Sequence, residues 1–305
     1  MQGEYPMTRI IDCHVHCFPT EQQGRDFMGR VVRRPEAEVV GSTAQLFESI
    51  QRSGVDHTNI LMYTPASIYF ADAKDAGASE EEARKIAVEH VVKNNDWCAE
   101  FVRSTPNLSF FCGVDPVYMT ADEMLHGVER WTAAGAKGVK FVPASLRIYG
   151  DDPRFLPLFD HCHQRDLPIL TQSGGPPGPN GLAYAHPEPF GRVLAKFPKL
   201  RLIFAHMADS PYLQDRGVAA LAKVTSAYPN VCADVSLRLN PIVSGEDTAE
   251  RIMHVIRTLG KENVLFGSNF PLADTAEAVG AFRDLPLESA EFDAIAGGNF
   301  QRLTA

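Results

Sequence analysis

The chain has 305 residues, of which 45% are hydrophobic and 22% charged, with a net charge of -9. That apolar content supports a large buried core and excludes global disorder. The acidic balance, with no basic stripe, argues against a nucleic-acid partner, because phosphate neutralisation needs clustered Lys and Arg. The length suits one α/β barrel with an insertion, so a single domain over residues 1–305 is expected. The first residues carry no apolar signal core, and no apolar run approaches the ~20 residues that span a bilayer. A cytoplasmic protein with no membrane partner is the expectation. Six cysteines, at 13, 17, 98, 112, 162 and 232, are spread without a C-x-x-C pair. Buried, reduced thiols are expected instead of a disulfide framework.

Short apolar runs alternate with longer amphipathic stretches along the chain. Arg9-Ile10-Ile11-Asp12 predicts a first strand that leads into His14 and His16. Residues 43–53 carry Leu46, Phe47 and Ile50 at helical spacing. Residues 59–63 predict a second strand. Ser79 with Glu82 three positions on predicts a capped helix that runs to about Arg103 and stops before Pro106. Residues 109–114 read as a third strand, and Thr120 with Glu123 caps the next helix. Further strands are predicted over 138–142, 167–172, 200–206, 231–236 and 264–268. Helical patterns separate them over 156–164, 190–197, 218–227 and 249–259. Eight strands, most followed by a helix, imply a parallel sheet closed into a (β/α)8 barrel, the TIM-barrel class of α/β folds. A doubly wound sheet that binds a dinucleotide would show G-x-G-x-x-G after an early strand, and none is present. The proline-rich stretch 173–181 reads as a loop over the barrel mouth, and 19–41 and 64–80 read as insertions above it.

Asp12, His14 and His16 stand at i, i+2 and i+4, which places them on one face of a strand over about 13 Å. Two imidazoles at that spacing suit chelation of one divalent ion; the plainer alternative is a pair of polar side chains bonded to rim loops. By the same alternation Cys13 and Cys17 should face the surrounding helices. His206 follows the apolar run 202–205, which puts it at the face where such barrels keep their chemistry. Lys140 lies between Val139 and Phe141. It suits a substrate carboxylate, a desolvated base, or an ion pair with an interior acid such as Asp115. Asp234 and Ser236 are open between similar roles. Arg147 and Arg238, on loops after strands, are candidate anion clamps. Tyr63, Phe70, Tyr149 and Met207 predict a partly aromatic mouth.

The chain resembles the amidohydrolase-related family of metal-dependent hydrolases and decarboxylases, the aminocarboxymuconate-semialdehyde decarboxylase-like branch of the amidohydrolase superfamily. The matching stretches are Ile11-Asp12-Cys13-His14-Val15-His16, Asn95-Asp96-Trp97, Gly113-Val114-Asp115-Pro116, Gly138-Val139-Lys140, Leu167-Pro168-Ile169-Leu170, and residues 197–207 and 264–271. The resemblance implies that His14 and His16 bind metal, usually zinc, and that His206 contacts the bound water or substrate. It also implies a histidine after the fifth strand and an aspartate after the eighth. Here Gln172 and Asn269 stand at those positions. Both offer neutral amide oxygens, so the one anionic ligand and an obvious base are missing.

Three readings follow. In the first, the barrel is an enzyme with an altered metal site that works without metal. His14, His16, His206 and Asn269 are then the catalytic residues, and Lys140, Gln172, Arg147, Arg238 and Tyr63 bind a small polar or carboxylated compound. The reaction would be of hydrolytic or lyase type. In the second, it is a conventional zinc-dependent hydrolase or decarboxylase with a weakly held ion on His14 and His16. In the third, it is a non-catalytic ligand-binding barrel. Family resemblance alone suggests a homodimer.

Overall fold

The computed structural model describes residues 9–174, 183–209 and 214–305. Eight strands form one parallel sheet in chain order: β1 (Ile11–Val15), β2 (His57–Leu61), β3 (Leu108–Gly113), β4 (Gly138–Phe141), β5 (Ile169–Thr171), β6 (Leu202–Phe204), β7 (Val231–Asp234) and β8 (Val264–Leu265). The barrel closes where the Cys13 amide donates to the Phe266 carbonyl (3.1 Å) and the His16 amide to the Phe270 carbonyl (2.7 Å). Closure needs close approach at Gly267, since a Cβ there would lie 2.9 Å from Cβ of His14. The expected (β/α)8 architecture is therefore the observed one. Among the described residues no helix is long and apolar enough to cross a membrane.

Local chemistry sets the helix starts. Ser42, Ser79 and Thr120 each accept from the amide three residues on, and Gln45, Glu82 and Glu123 return a bond to the cap amide. The helices Thr43–Ser53, Leu156–Gln164 and Ala249–Leu259 have the bounds their apolar spacing predicts. The insertion over 19–41 folds as a short helix, Glu21–Asp26, running into a π-helical turn, Phe27–Val31. Phe18, Phe27, Met28 and Val40 form a small apolar cluster of their own there. Of the proline-rich loop predicted over 173–181, all but Ser173 and Gly174 lies outside the described residues.

The core divides in two. A large cluster fills the space between strands and helices. A smaller one takes Ile11, Cys13, Leu61, Phe111, Leu170, Ile203, Cys232 and Leu265 from seven strands, with Phe300 and Leu303 of the helix Asn299–Thr304 beneath them. One residue or two from almost every strand, apart from the helix-facing set, is the barrel interior. Cys13 belongs to it, which corrects the alternation argument; Cys17 packs on the helix side as expected. The cause is a bulge. The pairing steps from Asp12↔Thr58 to Val15↔Ile60, three residues of β1 against two of β2. The extra residue reverses parity, so Cys13 and His14 both turn inward. Asp12 does not share a face with the histidines. Its carboxylate accepts from the Ser268 amide (2.9 Å) and hydroxyl (2.6 Å), tying β1 to the β8 loop. All six cysteines are free and buried.

Candidate active site

The carboxyl-terminal ends of the strands surround a cavity of about 110 Å³. Its polar lining is His14 from β1 and His16 just after it, Lys140 from β4, Ser145 beyond β4, Gln172 after β5, His206 after β6 and Asn269 after β8. Phe27, Val31 and Val32 of the 19–41 insertion, with Tyr63, Val142 and Leu272, supply the apolar walls. Six of the expected site residues thus converge, and Tyr63 joins them with its phenol paired to Ser145. A larger groove of about 970 Å³ runs past Tyr149, His186, Arg216 and Tyr228. It contains none of the site histidines, so the chemistry belongs to the smaller cavity.

Hydrogen bonds behind the cavity establish where the imidazole protons are. Asp234 accepts from Nδ1 of His14 (2.8 Å), the His206 amide (3.0 Å), the Ser236 amide (3.1 Å) and the Ser236 hydroxyl. Burial alone would raise its pKa. The neighbouring His14, His206 and Ser236 outweigh that and hold it well below the ordinary carboxylate range. An ionised carboxylate only accepts, so the Ser236 hydroxyl must donate to it. Oγ of Ser236 can then only accept from Nδ1 of His206 (2.7 Å), whose other neighbour is the Ser236 carbonyl (3.2 Å). Nδ1 of His16 faces the Leu61 carbonyl (2.9 Å) and must donate as well. All three imidazoles therefore carry their proton on Nδ1, which leaves each Nε2 with a free lone pair. Burial lowers the pKa of all three, His206 to about 3, so they are neutral at pH 7.

Two further acceptors share the cavity. Oε1 of Gln172 and Oδ1 of Asn269 are buried without a hydrogen-bond partner. Asn269 has φ 69° and donates its amide to the His14 carbonyl (2.8 Å). His206, Met207 and Ala208 follow one another at φ 60°, 55° and 54°, a run of left-handed non-glycine backbone. Such strain costs about 1–3 kcal/mol per residue and clusters at functional sites; the His206 amide bond to Asp234 holds it in place.

Lys140 is only 2% exposed, and its ammonium lines the cavity. No ion pair holds it among the described residues, so of its alternative roles the pairing with Asp115 is not formed. Asp115 instead accepts from the Val117 and Tyr118 amides. Burial brings the Lys140 pKa down to about 7, with Asp234 opposing. The two arginines expected as clamps are elsewhere. Arg147 is exposed outside the cavity. Arg238 is paired to Asp209 (3.1 Å) and Asp247 in a buried network completed by Arg251. Tyr149 lines the other groove, Phe70 packs on Tyr118, and Met207 is in the core. The expected aromatic mouth is thus reduced to Tyr63, joined by Phe27.

Asp234 and Ser236, left open by the sequence, are the residues that orient His14 and His206. The signal was there in Asp234-x-Ser236, two polar residues of equal parity at a strand end. The apolar roof from Phe27 to Val32 had no such signal, because nothing local says where an insertion folds back.

The donor set fits a divalent cation. Each imidazole has its rear nitrogen on a carboxylate, hydroxyl or carbonyl, the arrangement that orients metal-binding histidines, and the two unpartnered amide oxygens are donors of a type a divalent cation accepts. His14, His206 and Asp234 also bring ligand-type atoms within 4.8 Å of one another. There, however, the Asp234 oxygen faces Nδ1 of His14, and that position is taken by a proton.

A strand-end cluster of histidines in a (β/α)8 barrel defines a class of barrel enzymes. The chain belongs to the amidohydrolase family, whose model matches residues 11–303. It is accordingly a barrel enzyme of the amidohydrolase class. Similar solved structures include an uncharacterised TIM-barrel protein from Bordetella bronchiseptica, 20% identical, TM-score 0.70, with 97% of this chain and 98% of that one covered. The 5-carboxyvanillate decarboxylase of Sphingomonas paucimobilis is 16% identical, TM-score 0.70, with 97% and 99% covered. A dihydroxybenzoic acid decarboxylase from a Polaromonas species, solved with manganese and 2-nitroresorcinol, is 17% identical, TM-score 0.68, with 98% and 97% covered. No curated protein sequence matches the chain.

Proposed function

We propose that this barrel decarboxylates a small hydroxylated ring acid. The observation that carries the reading is the buried Lys140 ammonium, which opens on the cavity with no ion-pair partner among the described residues. A cation in that state attracts a carboxylate. Phe27, Tyr63 and Leu272 then enclose the ring. The similarity to two aromatic-acid decarboxylases supports the same class.

Decarboxylation needs one proton on the ring carbon as CO2 leaves. The neutral histidines are poor acids at pH 7, and Asn269 cannot donate as a carboxylic acid. Lys140, with its pKa near 7, is the acid suited to this step. Its ammonium gives a proton to the carbon, the C–C bond to the carboxylate breaks, and water restores the ammonium. His14, His16, Gln172 and Asn269 would hold a divalent cation, which supplies Lewis-acid polarisation of a substrate oxygen when bound. His206, locked by Ser236, presents its Nε2 as an acceptor for a substrate hydroxyl. The buried free thiols support a reducing, cytoplasmic location.

The test is release of labelled CO2 from a panel of carboxyl-labelled hydroxybenzoates. Turnover is expected, with kcat/KM falling as pH rises above about 7. Lys140→Met should lose roughly 10²–10⁴-fold in kcat. Hydrolysis of lactones with no CO2 released from any acid would overturn the reading.

A further inference from the structure

We propose that a divalent cation and a ligand carboxylate bind this cavity as an interdependent pair, the ligand supplying the negative charge that the protein's own donors lack. The inference rests on reading the cavity as the carboxylate site, and it is independent of turnover.

The charge inventory carries it. Among the described residues, the groups that offer lone pairs to the cavity are all neutral: three imidazoles, two amide oxygens, and the mutually paired hydroxyls of Tyr63 and Ser145. Four buried acids stand near the strand ends, and each is committed elsewhere, Asp209 to Arg238 and Arg251. Asp234 holds His14, Ser236 and the His206 amide. Asp12 holds Ser268. Asp115 holds the amides of Val117 and Tyr118. Lys140 also lines the cavity, buried and with no ion pair among the described residues, and its ammonium opposes a cation.

A divalent ion entering alone therefore exchanges its water for uncharged ligands beside an ammonium, at low dielectric. An anion entering alone meets Lys140 but leaves both amide oxygens unpartnered. Together the two compensate each other and the unpartnered oxygens at once. Asn269 is the position where the deficit arises, since an aspartate there would supply the missing charge. Asp tolerates left-handed backbone as Asn does, and the amide bond from residue 269 to His14 is independent of the side chain.

Coupling of this kind is reciprocal: whatever factor the acid adds to metal affinity, the metal adds to acid affinity. The experiment is titration of the chelator-treated, tag-free protein with Mn2+, reading free ion by electron paramagnetic resonance. It is run alone, with benzoate, and with benzamide as the uncharged control of the same size. The apparent Kd for Mn2+ should fall at least tenfold with benzoate and stay put with benzamide. Benzoate affinity, by calorimetry, should rise by the same factor with Mn2+. Asn269→Asp, checked for native circular dichroism, should bind Mn2+ without an acid and shrink the coupling below threefold. Equal Mn2+ affinity with benzoate and benzamide overturns the proposal. So does tight Mn2+ binding without any acid, and so does absence of binding under all three conditions. Benzoate has no hydroxyl and is not consumed, so a decarboxylase with uncoupled metal would leave the functional reading standing and remove this one.

Discussion

Asp234 decides the chemistry available to its neighbours. Its four acceptor bonds place a proton on Nδ1 of His14 and, through Ser236, on Nδ1 of His206. Asp234→Asn puts an amide N–H against groups that already donate. We expect a loss of roughly 2–4 kcal/mol in urea unfolding, because buried donors are left unsatisfied. Lys140 has the opposite sign. Its pKa is depressed to about 7, so its stabilising contribution is complete above the unfolded value of about 10.4 and is lost as pH falls through 7. The native state then buries an ammonium without a partner. Lys140→Met should raise stability at pH 7 by roughly 1–3 kcal/mol. The difference between wild type and variant should narrow as pH rises from 7 to 10. A flat difference across that range would show that Lys140 titrates normally.

At the scale of elements, the bulge in β1 does what a regular strand cannot. It keeps Cys13 in the barrel interior while turning both histidines to the cavity. Helix starts are set more simply. The 24-residue helix Glu80–Arg103 begins at a reciprocal box, Ser79 with Glu82. Ser79→Ala should lower stability by about 1 kcal/mol in chemical denaturation, with no change in ligand affinity. These boxes were legible in the sequence because a cap is a contact between residues three apart. The bulge was not, because an extra residue in one strand is defined only against its partner. The arginines were misplaced for a similar reason. A loop arginine reads as free until the acids that pair with it, Asp209 and Asp247 for Arg238, are brought to it by folding.

Over the whole molecule, chemistry and stability lie at opposite ends of the barrel. The cavity is at the carboxyl-terminal ends of the strands, and the helix Asn299–Thr304 closes the other end. Phe300 and Leu303 insert among the interior residues, and Asn299 donates to the carbonyls of Lys261 and Val264 beside β8. Phe300→Ala should cost roughly 3–5 kcal/mol in unfolding free energy. Benzoate affinity measured on the folded variant should not change, since Phe300 does not line the cavity.

The sequence by itself determined the periodic features: eight apolar runs with helices between them, the caps, and strand-end residues whose side chains reach the mouth. It also determined that positions 172 and 269 carry neutral amides, which is a matter of residue identity alone. Only the tertiary structure decided which neighbours complete each group. The pairing of Asp234 with His14 across 220 positions, the unpartnered state of Lys140, and the roof laid over the cavity by Phe27 all depend on barrel closure. Protonation and charge balance depend on burial and contact, and neither exists until the strands have closed on one another.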